Sequence, residues 1–212
     1  MANLDFIYKR KSIRKFKDCE IPKEDILTLL DAATHAPSPK HQQNWHFVVL
    51  QNKEIINKMA EIVSKSHTEI AKMAPTPEQG EKYMRLLKYY TLFKHAPVVV
   101  IVYGNEYNMI EYDILKANGA SEERLAEILA PQSAIQGIGA AVENFLLAAT
   151  EMGYGTCYMT GPTHAKREIE DLIGFKKEGY QLLSLIALGV PEDNTPPAPK
   201  RKPLEEVVTF ID

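Results

Sequence analysis

The sequence predicts an α+β domain, on three observations. Stretches of helical periodicity alternate with two strongly apolar runs, 97–103 and 182–190, which are too short to cross a bilayer as helices and suit buried strands. The connections are punctuated by Pro and Gly, with no internal repeat or low-complexity tract. The 212 residues are 45% hydrophobic and 25% charged with a formal net charge of -3, a globular balance with room for one sizeable core.

Taken in order, 4–9 reads as a short helix capped by Asn3, ending where the basic pentad Arg10-Lys11-Ser12-Ile13-Arg14 begins. Ile21-Pro22-Lys23-Glu24-Asp25 enters a second helix with Ile26, Leu29, Leu30 and Ala33 on its apolar face. Pro37 and Pro39 stop that helix and constrain the loop 36–44, from which a strand leaves at 45–50. Two charged amphipathic segments, 53–73 and 78–93, flank the turn-prone Pro75-Thr76-Pro77. After the buried strand at 97–103, the stretch 104–119 is less regular and reads as a covering element or as ordinary surface packing.

Ser121-Glu122-Glu123-Arg124 starts another helix, and 133–152 is the strongest helical segment of the chain. Gly137, Gly139, Ala140, Ala141, Ala148 and Ala149 strip bulk from it, which suits close approach of another backbone at the centre of the fold or at a subunit contact. Glu143 and Asn144 then need partners or solvent, because unpaired polar groups are costly in such a place. Gly153-Tyr154-Gly155 turns out of the helix into a short strand at 156–159, followed by a helix at 163–172 and a central strand at 182–188. The Pro-rich, basic 194–203 and the apolar, β-compatible 204–210 read as an arm that crosses a surface and docks a terminal strand.

Several function classes are disfavoured. There is no extended basic stripe with interleaved aromatics for nucleic acid, and no apolar span for a membrane. The start lacks a secretion-signal pattern, and Cys19 and Cys157 form no zinc-type pairing, so a reducing, cytoplasmic setting is expected. The six histidines make no convincing metal set, and neither Ser12 nor Ser38 has a nucleophile-elbow context. Gly153-Tyr154-Gly155 lacks the third glycine of a dinucleotide fingerprint, and no Gly-Lys-Ser/Thr phosphate loop is present, so any phosphate must be held mainly by side chains. The pentad and Lys200-Arg201-Lys202 are two distant basic patches at opposite ends of a mildly acidic chain. Short basic runs are commonly solvated surface, and each patch needs converging residues to become an anion site.

Arg10-Lys11-Ser12-Ile13-Arg14-Lys15-Phe16, Ala36-Pro37-Ser38 with Gln43-Asn44-Trp45-His46-Phe47, Glu143-Asn144-Phe145-Leu146-Leu147-Ala148-Ala149, Gly153-Tyr154-Gly155-Thr156 and Lys200-Arg201-Lys202-Pro203-Leu204-Glu205-Glu206 occur in an order that resembles the FMN-dependent nitroreductase family. The resemblance spans nearly the whole chain. It implies one nitroreductase-like domain over 1–212, a central mainly antiparallel sheet surrounded by helices, and an intertwined homodimer whose arm, 194–212, docks on the partner subunit. It also implies that Arg10, Lys11, Ser12 and Arg14 hold the FMN phosphate or ribityl chain, with Lys200 and Lys202 assisting. Pro37, Ser38, Pro39 and Gln43 would line the loop beside the flavin, and Thr160 and Gly161 would offer backbone N–H groups to the isoalloxazine. Tyr107 and Tyr112 fall in the family's variable cover and become candidate substrate-side residues. Two departures stand out: His41 where Asn is frequent, and Asn44 where Pro is frequent.

The reaction implied is ping-pong electron transfer from NAD(P)H, through FMN, to nitroaromatics, quinones or related electron-poor acceptors, with no separate acid–base pair. NADH and NADPH are not distinguished. A dimeric flavin-binding redox sensor without efficient turnover and a reductive dehalogenase are the alternatives, and flavin fragmentation is a further specialised reaction that the resemblance leaves open.

Overall fold

The computed structural model describes residues 4–211; the expected cap Asn3 lies outside the described residues. The pentad follows a one-turn helix, α1 (Asp5–Lys9), and α2 (Lys23–Thr34) buries Ile26, Leu29 and Ala33 as its spacing requires. A short 3-10 turn, Pro39–His41, leads into strand β1 (Trp45–Leu50). The long helix α3 (Lys53–Lys72) is capped by the Asn52 side chain, which accepts from the N–H groups of Glu54 and Ile55.

The expected amphipathic unit at 78–93 is instead three short pieces: α4 (Pro77–Met84), α5 (Leu87–Tyr90) and a 3-10 turn, Leu92–His95. Each contributes only one or two buried residues or none, so no continuous stripe holds them in one helix. Strand β2 (Val98–Asn105) follows. Within the stretch 104–119, expected to be less regular, Ile110–Ala117 instead forms a helix, α6. It buries no residue fully and so carries little core-facing pattern, but its end is built conventionally. The Ala120 N–H reaches the Leu115 carbonyl, the Gly119 N–H reaches that of Lys116, and Gly119 has φ 73°.

Helix α7 (Glu122–Leu129) starts as expected, with Ser121 Oγ accepting from the Arg124 N–H. Helix α8 (Ser133–Glu151), strand β3 (Gly155–Met159), helix α9 (Lys166–Ile173) and strand β4 (Tyr180–Gly189) complete the core, α9 being preceded by a 3-10 turn, Gly161–Ala165. Among the described residues no helix is long and apolar enough to cross a membrane.

The four strands pair antiparallel in the order β1-β2-β4-β3. Alternation along β2 divides the core: Val98, Val100 and Val102 face α2 and α8, while Val99, Ile101 and Tyr103 face α3 and α9. Both faces are covered by helices, which explains why the run is apolar at every position. Phe145 of α8 is fully buried against the first face, and truncating such a residue to Ala typically costs about 3–5 kcal/mol. The two polar residues of α8 find partners: Asn144 Nδ2 donates to the Ala32 carbonyl at 3.3 Å, and Glu143 pairs with Arg10.

The terminal segment forms no strand within this chain: it makes one 3-10 turn, Leu204–Glu206, and leaves Leu204, Val207, Val208, Phe210 and Ile211 exposed. Both central strands already have two neighbours, and the pentad lies along part of the β3 edge.

Candidate functional site

The site begins where the pentad leaves α1 in an extended conformation. Ser12 forms a parallel bridge with Thr156 of β3, and the Ile13 N–H donates to the Thr156 carbonyl at 2.8 Å. Farther on, the Lys17 N–H donates to the Val190 carbonyl at 2.8 Å. Pairing of this kind makes side chains alternate, so Ile13 is buried while Ser12 and Arg14 stay on the exposed side.

Gly155 permits the arrangement. A Cβ there would stand 2.7 Å from Ile13 Cγ1 and 2.8 Å from Ile13 Cβ. Arg10 is oriented from the other side by α8, its Nε lying 3.1 Å from Glu143 Oε1. That contact uses one nitrogen of the guanidinium fork, and no other ion pair of the Arg10 side chain occurs among the described residues. Ser12 and Arg14 also act on the Cys157 thiol: burial pushes its pKa up, while the Arg14 charge and the Ser12 hydroxyl pull it down.

The loop 36–44 is pressed onto the same helix. Gly137 of α8 leaves only 3.2–3.4 Å from a hypothetical Cβ to the Pro37 carbonyl oxygen, Pro39 Cδ and Ser38 Cα. Gly137 precedes Glu143 by six positions, or about 9 Å along the axis at about 1.5 Å per residue. Three non-glycine residues of the loop have left-handed backbone: Lys40 (φ 47°), His41 (φ 55°) and Gln43 (φ 48°). Each such conformation costs about 1–2 kcal/mol, and local bonds hold them. Ser38 Oγ accepts from the Gln43 N–H at 3.0 Å, the Ser38 carbonyl accepts from the His41 N–H at 3.0 Å, and Gln43 Nε2 lies 3.1 Å from His41 Nε2. Clustered strain of this kind is characteristic of ligand-facing loops.

Asn44, the other departure from the family pattern, is a structural tie. Its Nδ2 donates to the Asn105 carbonyl at 2.7 Å, and its own carbonyl accepts from the Asn105 N–H at 2.9 Å.

Thr160 and Gly161 stand at the far end of β3, about 13 Å from Thr156 at about 3.3 Å per strand residue. Gly161 packs so closely on the Tyr90 ring that a Cβ would approach it to 2.5 Å. Pro162 follows at the start of the 3-10 turn, whose first N–H groups have no partner within the turn itself.

Of the residues expected at the site, Arg10, Lys11, Ser12 and Arg14 are therefore adjacent, and Pro37, Ser38, Pro39 and Gln43 form one rigid loop on the same helix. Lys11 meets the arm through a bond from Nζ to the Pro196 carbonyl at 2.7 Å. Lys200 and Lys202 are exposed, with no described contact to the pentad. Tyr107 meets the loop: Lys40 Nζ lies 5.4 Å from its ring centroid, and the Tyr107 hydroxyl raises the Lys40 pKa. Tyr112 packs beneath Lys116 of its own helix, with Nζ 5.6 Å from its ring centroid. Beside Tyr107 is a recess of about 480 Å³ whose lining includes Asn105, Met109, Leu129, Gln132 and Gln181. Gly155 and Glu143 shape the cationic strip yet receive no role from the sequence alone. The available signals are a glycine beside the pairing position and a carboxylate inside a helix of small residues.

The molecule is thus a helix-covered antiparallel α+β protein with a cationic strip along one edge strand and a strained loop on α8. The family follows from comparison: the nitroreductase family model matches residues 7–190, and the chain belongs to that family. A BluB-like flavoprotein from Clostridium difficile 630 is similar over 100% of both chains, with 38% identity and a TM-score of 0.93. An iodotyrosine deiodinase from Thermotoga neapolitana is 27% identical over 209 residues, covering 97% of each protein. A nitroreductase with bound FMN from Bacteroides fragilis NCTC 9343 shares the fold at 21% identity and a TM-score of 0.72, over 99% of this chain and 98% of that one.

Proposed function

We propose that the protein is an FMN-dependent oxidoreductase that works by a ping-pong cycle as a homodimer. When bound, FMN supplies reversible hydride chemistry, accepting from NAD(P)H and delivering to an electron-poor acceptor such as a nitroaromatic or a quinone. The observation that carries the reading is the strip itself: Ser12 and Arg14 are presented by pairing with β3 and Arg10 is oriented by Glu143, in a chain whose family match spans 7–190. The donor set suits a phosphate dianion, with guanidinium groups for directional bonds and one hydroxyl.

In this reading the strip anchors the phosphate end, with Lys200 and Lys202 completing it from the arm of one subunit or the other. Pro37, Ser38, Pro39 and Gln43 hold the flat end at a fixed approach, and the N–H groups at Thr160 and Gly161 stabilise charge there. The recess beside Tyr107 admits the acceptor, and the covering helices exclude water. Placement and electrostatics are the contributions of the chain, so no separate acid–base pair is required.

The test is anaerobic stopped-flow absorbance on FMN-reconstituted protein. Flavin bleaching is followed with NADH and NADPH, then reoxidation by a nitroaromatic and a quinone. Two rapid half-reactions are expected; failure to retain added FMN defeats the proposal. Retention with neither half-reaction favours the redox sensor.

A second reading, reductive dehalogenation, draws support from the 27% identity to the Thermotoga neapolitana iodotyrosine deiodinase over 97% of both proteins. Halide release from an iodinated aromatic, with little turnover of nitroaromatics, is the result that would select it.

A further inference from the structure

Beyond the flavin strip lies a recess of about 660 Å³, inside the range of roughly 300–1,000 Å³ usual for small-molecule sites. It is walled by the chain that leaves the pentad, the first residue of α3, the segment 88–95 and the approaches to β2 and from β4. Phe16 and Pro97 pack together over Gly189 at its floor; a Cβ on that glycine would meet them at 2.6 and 2.8 Å. Leu92 is buried beside them, and Tyr89 stands 47% exposed at the rim, offering a ring face.

The charge on this recess is unbalanced. Arg14, Lys15, Lys17, Lys53 and Lys88 line it against two carboxylates, Asp18 and Glu192, although the whole chain is net acidic. Lys17 is paired with Asp193 at 2.7 Å. The side chains of Arg14, Lys15, Lys53 and Lys88 have no ion pair among the described residues, and Lys88 Nζ instead lies 5.0 Å from the Tyr89 ring centroid. The imidazole of His95 registers the same field: its pKa is lowered first by burial and then by Lys94 and Lys53. Unpaired cations gathered in a concavity repel one another and focus a potential that an anion relieves. An apolar floor and an exposed aromatic rim beside them suit a ligand with a flat ring as well as a charge.

We propose that this recess is a second anion site that takes a nucleoside monophosphate, its phosphate on Lys53, Lys88 and Lys15 and its base against Tyr89. It adjoins the flavin strip through Arg14 but uses cations that the strip does not, and it does not depend on the flavin reading.

Titration calorimetry with excess FMN present throughout, so that the strip is occupied in every variant that can bind it, tests it, with adenosine 5′-monophosphate, adenosine and inorganic phosphate as separate titrants. Adenosine monophosphate is expected to bind more tightly than either part, and more weakly as salt rises. The double variant Lys53→Glu with Lys88→Glu should weaken it at least tenfold while retaining FMN. Arg10→Ala, which perturbs the strip, should leave nucleotide binding unchanged. Absence of nucleotide binding overturns the proposal, as does binding lost with Arg10 but not with Lys53 and Lys88. Equal affinity for phosphate and nucleotide overturns the role given to Tyr89.

Discussion

Replacing Gly155 with Ala tests how the cationic strip is held. The new Cβ would stand 2.7 Å from Ile13 Cγ1, 2.8 Å from Ile13 Cγ2 and 2.8 Å from Ile13 Cβ. Contacts below about 3 Å are relieved only by movement, and because Ile13 Cβ is itself involved, a change of rotamer does not suffice. The chain 12–14 must lift from β3, which weakens the bond from the Ile13 N–H to the Thr156 carbonyl, now 2.8 Å, and displaces Ser12 and Arg14. Overpacking of this kind costs about 1–3 kcal/mol. A loss of 1 kcal/mol lowers Tm by roughly 2–4 °C in a chain of this size, so a fall of about 2–12 °C is expected. FMN retention is expected to fall with it, because the phosphate donors move together. Differential scanning fluorimetry reads the first quantity, and the flavin absorbance retained after gel filtration reads the second. A variant with wild-type Tm and wild-type FMN content would refute the claim that close packing at Gly155 aligns the strip.

Three further outcomes follow. Arg10→Ala should weaken FMN binding roughly ten- to a hundredfold, from the loss of about 1.5–3 kcal/mol in charge-assisted hydrogen bonding; Lys65→Ala, an exposed control, should change nothing, and equal retention in both folded variants rejects the phosphate role. Gly139→Ala should raise Tm modestly, since Ala is favoured over Gly inside a helix by about 1 kcal/mol and nothing lies within 4 Å of the added Cβ; a lower Tm in the assembled protein would show that another body occupies that face. Tyr154 donates to Asp25 Oδ2 at 2.5 Å, and that bond, then burial, raises its pKa to about 12. The folded value lies above the unfolded one of about 10, so this contribution to stability is complete below pH 10 and is lost as pH rises through 12. Tyr154→Phe should therefore be less stable by about 1 kcal/mol near neutrality, with a flatter fall in denaturant midpoint across that alkaline window.

Much of the fold is legible in the sequence because its strands and long helices carry strong local patterns. The run at β2, the alternating faces of α3 and the Ser121 cap each specify an element without reference to the rest. The misreadings occur where local pattern is weak. Helix α6 buries nothing fully, and the segment 78–93 is divided among three short elements with no long apolar stripe. The arm is a different case: its apolar residues at 204–210 are β-compatible, and a strand needs a partner edge, which no described residue of this chain supplies.

For the site, residue types and their order along the chain specify the chemical inventory: a phosphate-suited pentad, a proline-bounded loop, a helix of small residues and a basic arm. Tertiary structure decided which of these meet. Pairing to β3 puts Ser12 and Arg14 on one side, Glu143 turns Arg10, and Gly137 seats the strained loop on α8. It also gathered Lys53 and Lys88 beside Lys15, although they come from segments far apart in the chain. The physical reason is range: propensity and capping act over a few residues, whereas the side on which an extended side chain emerges, and which cations share a concavity, depend on strand pairing and packing between distant segments.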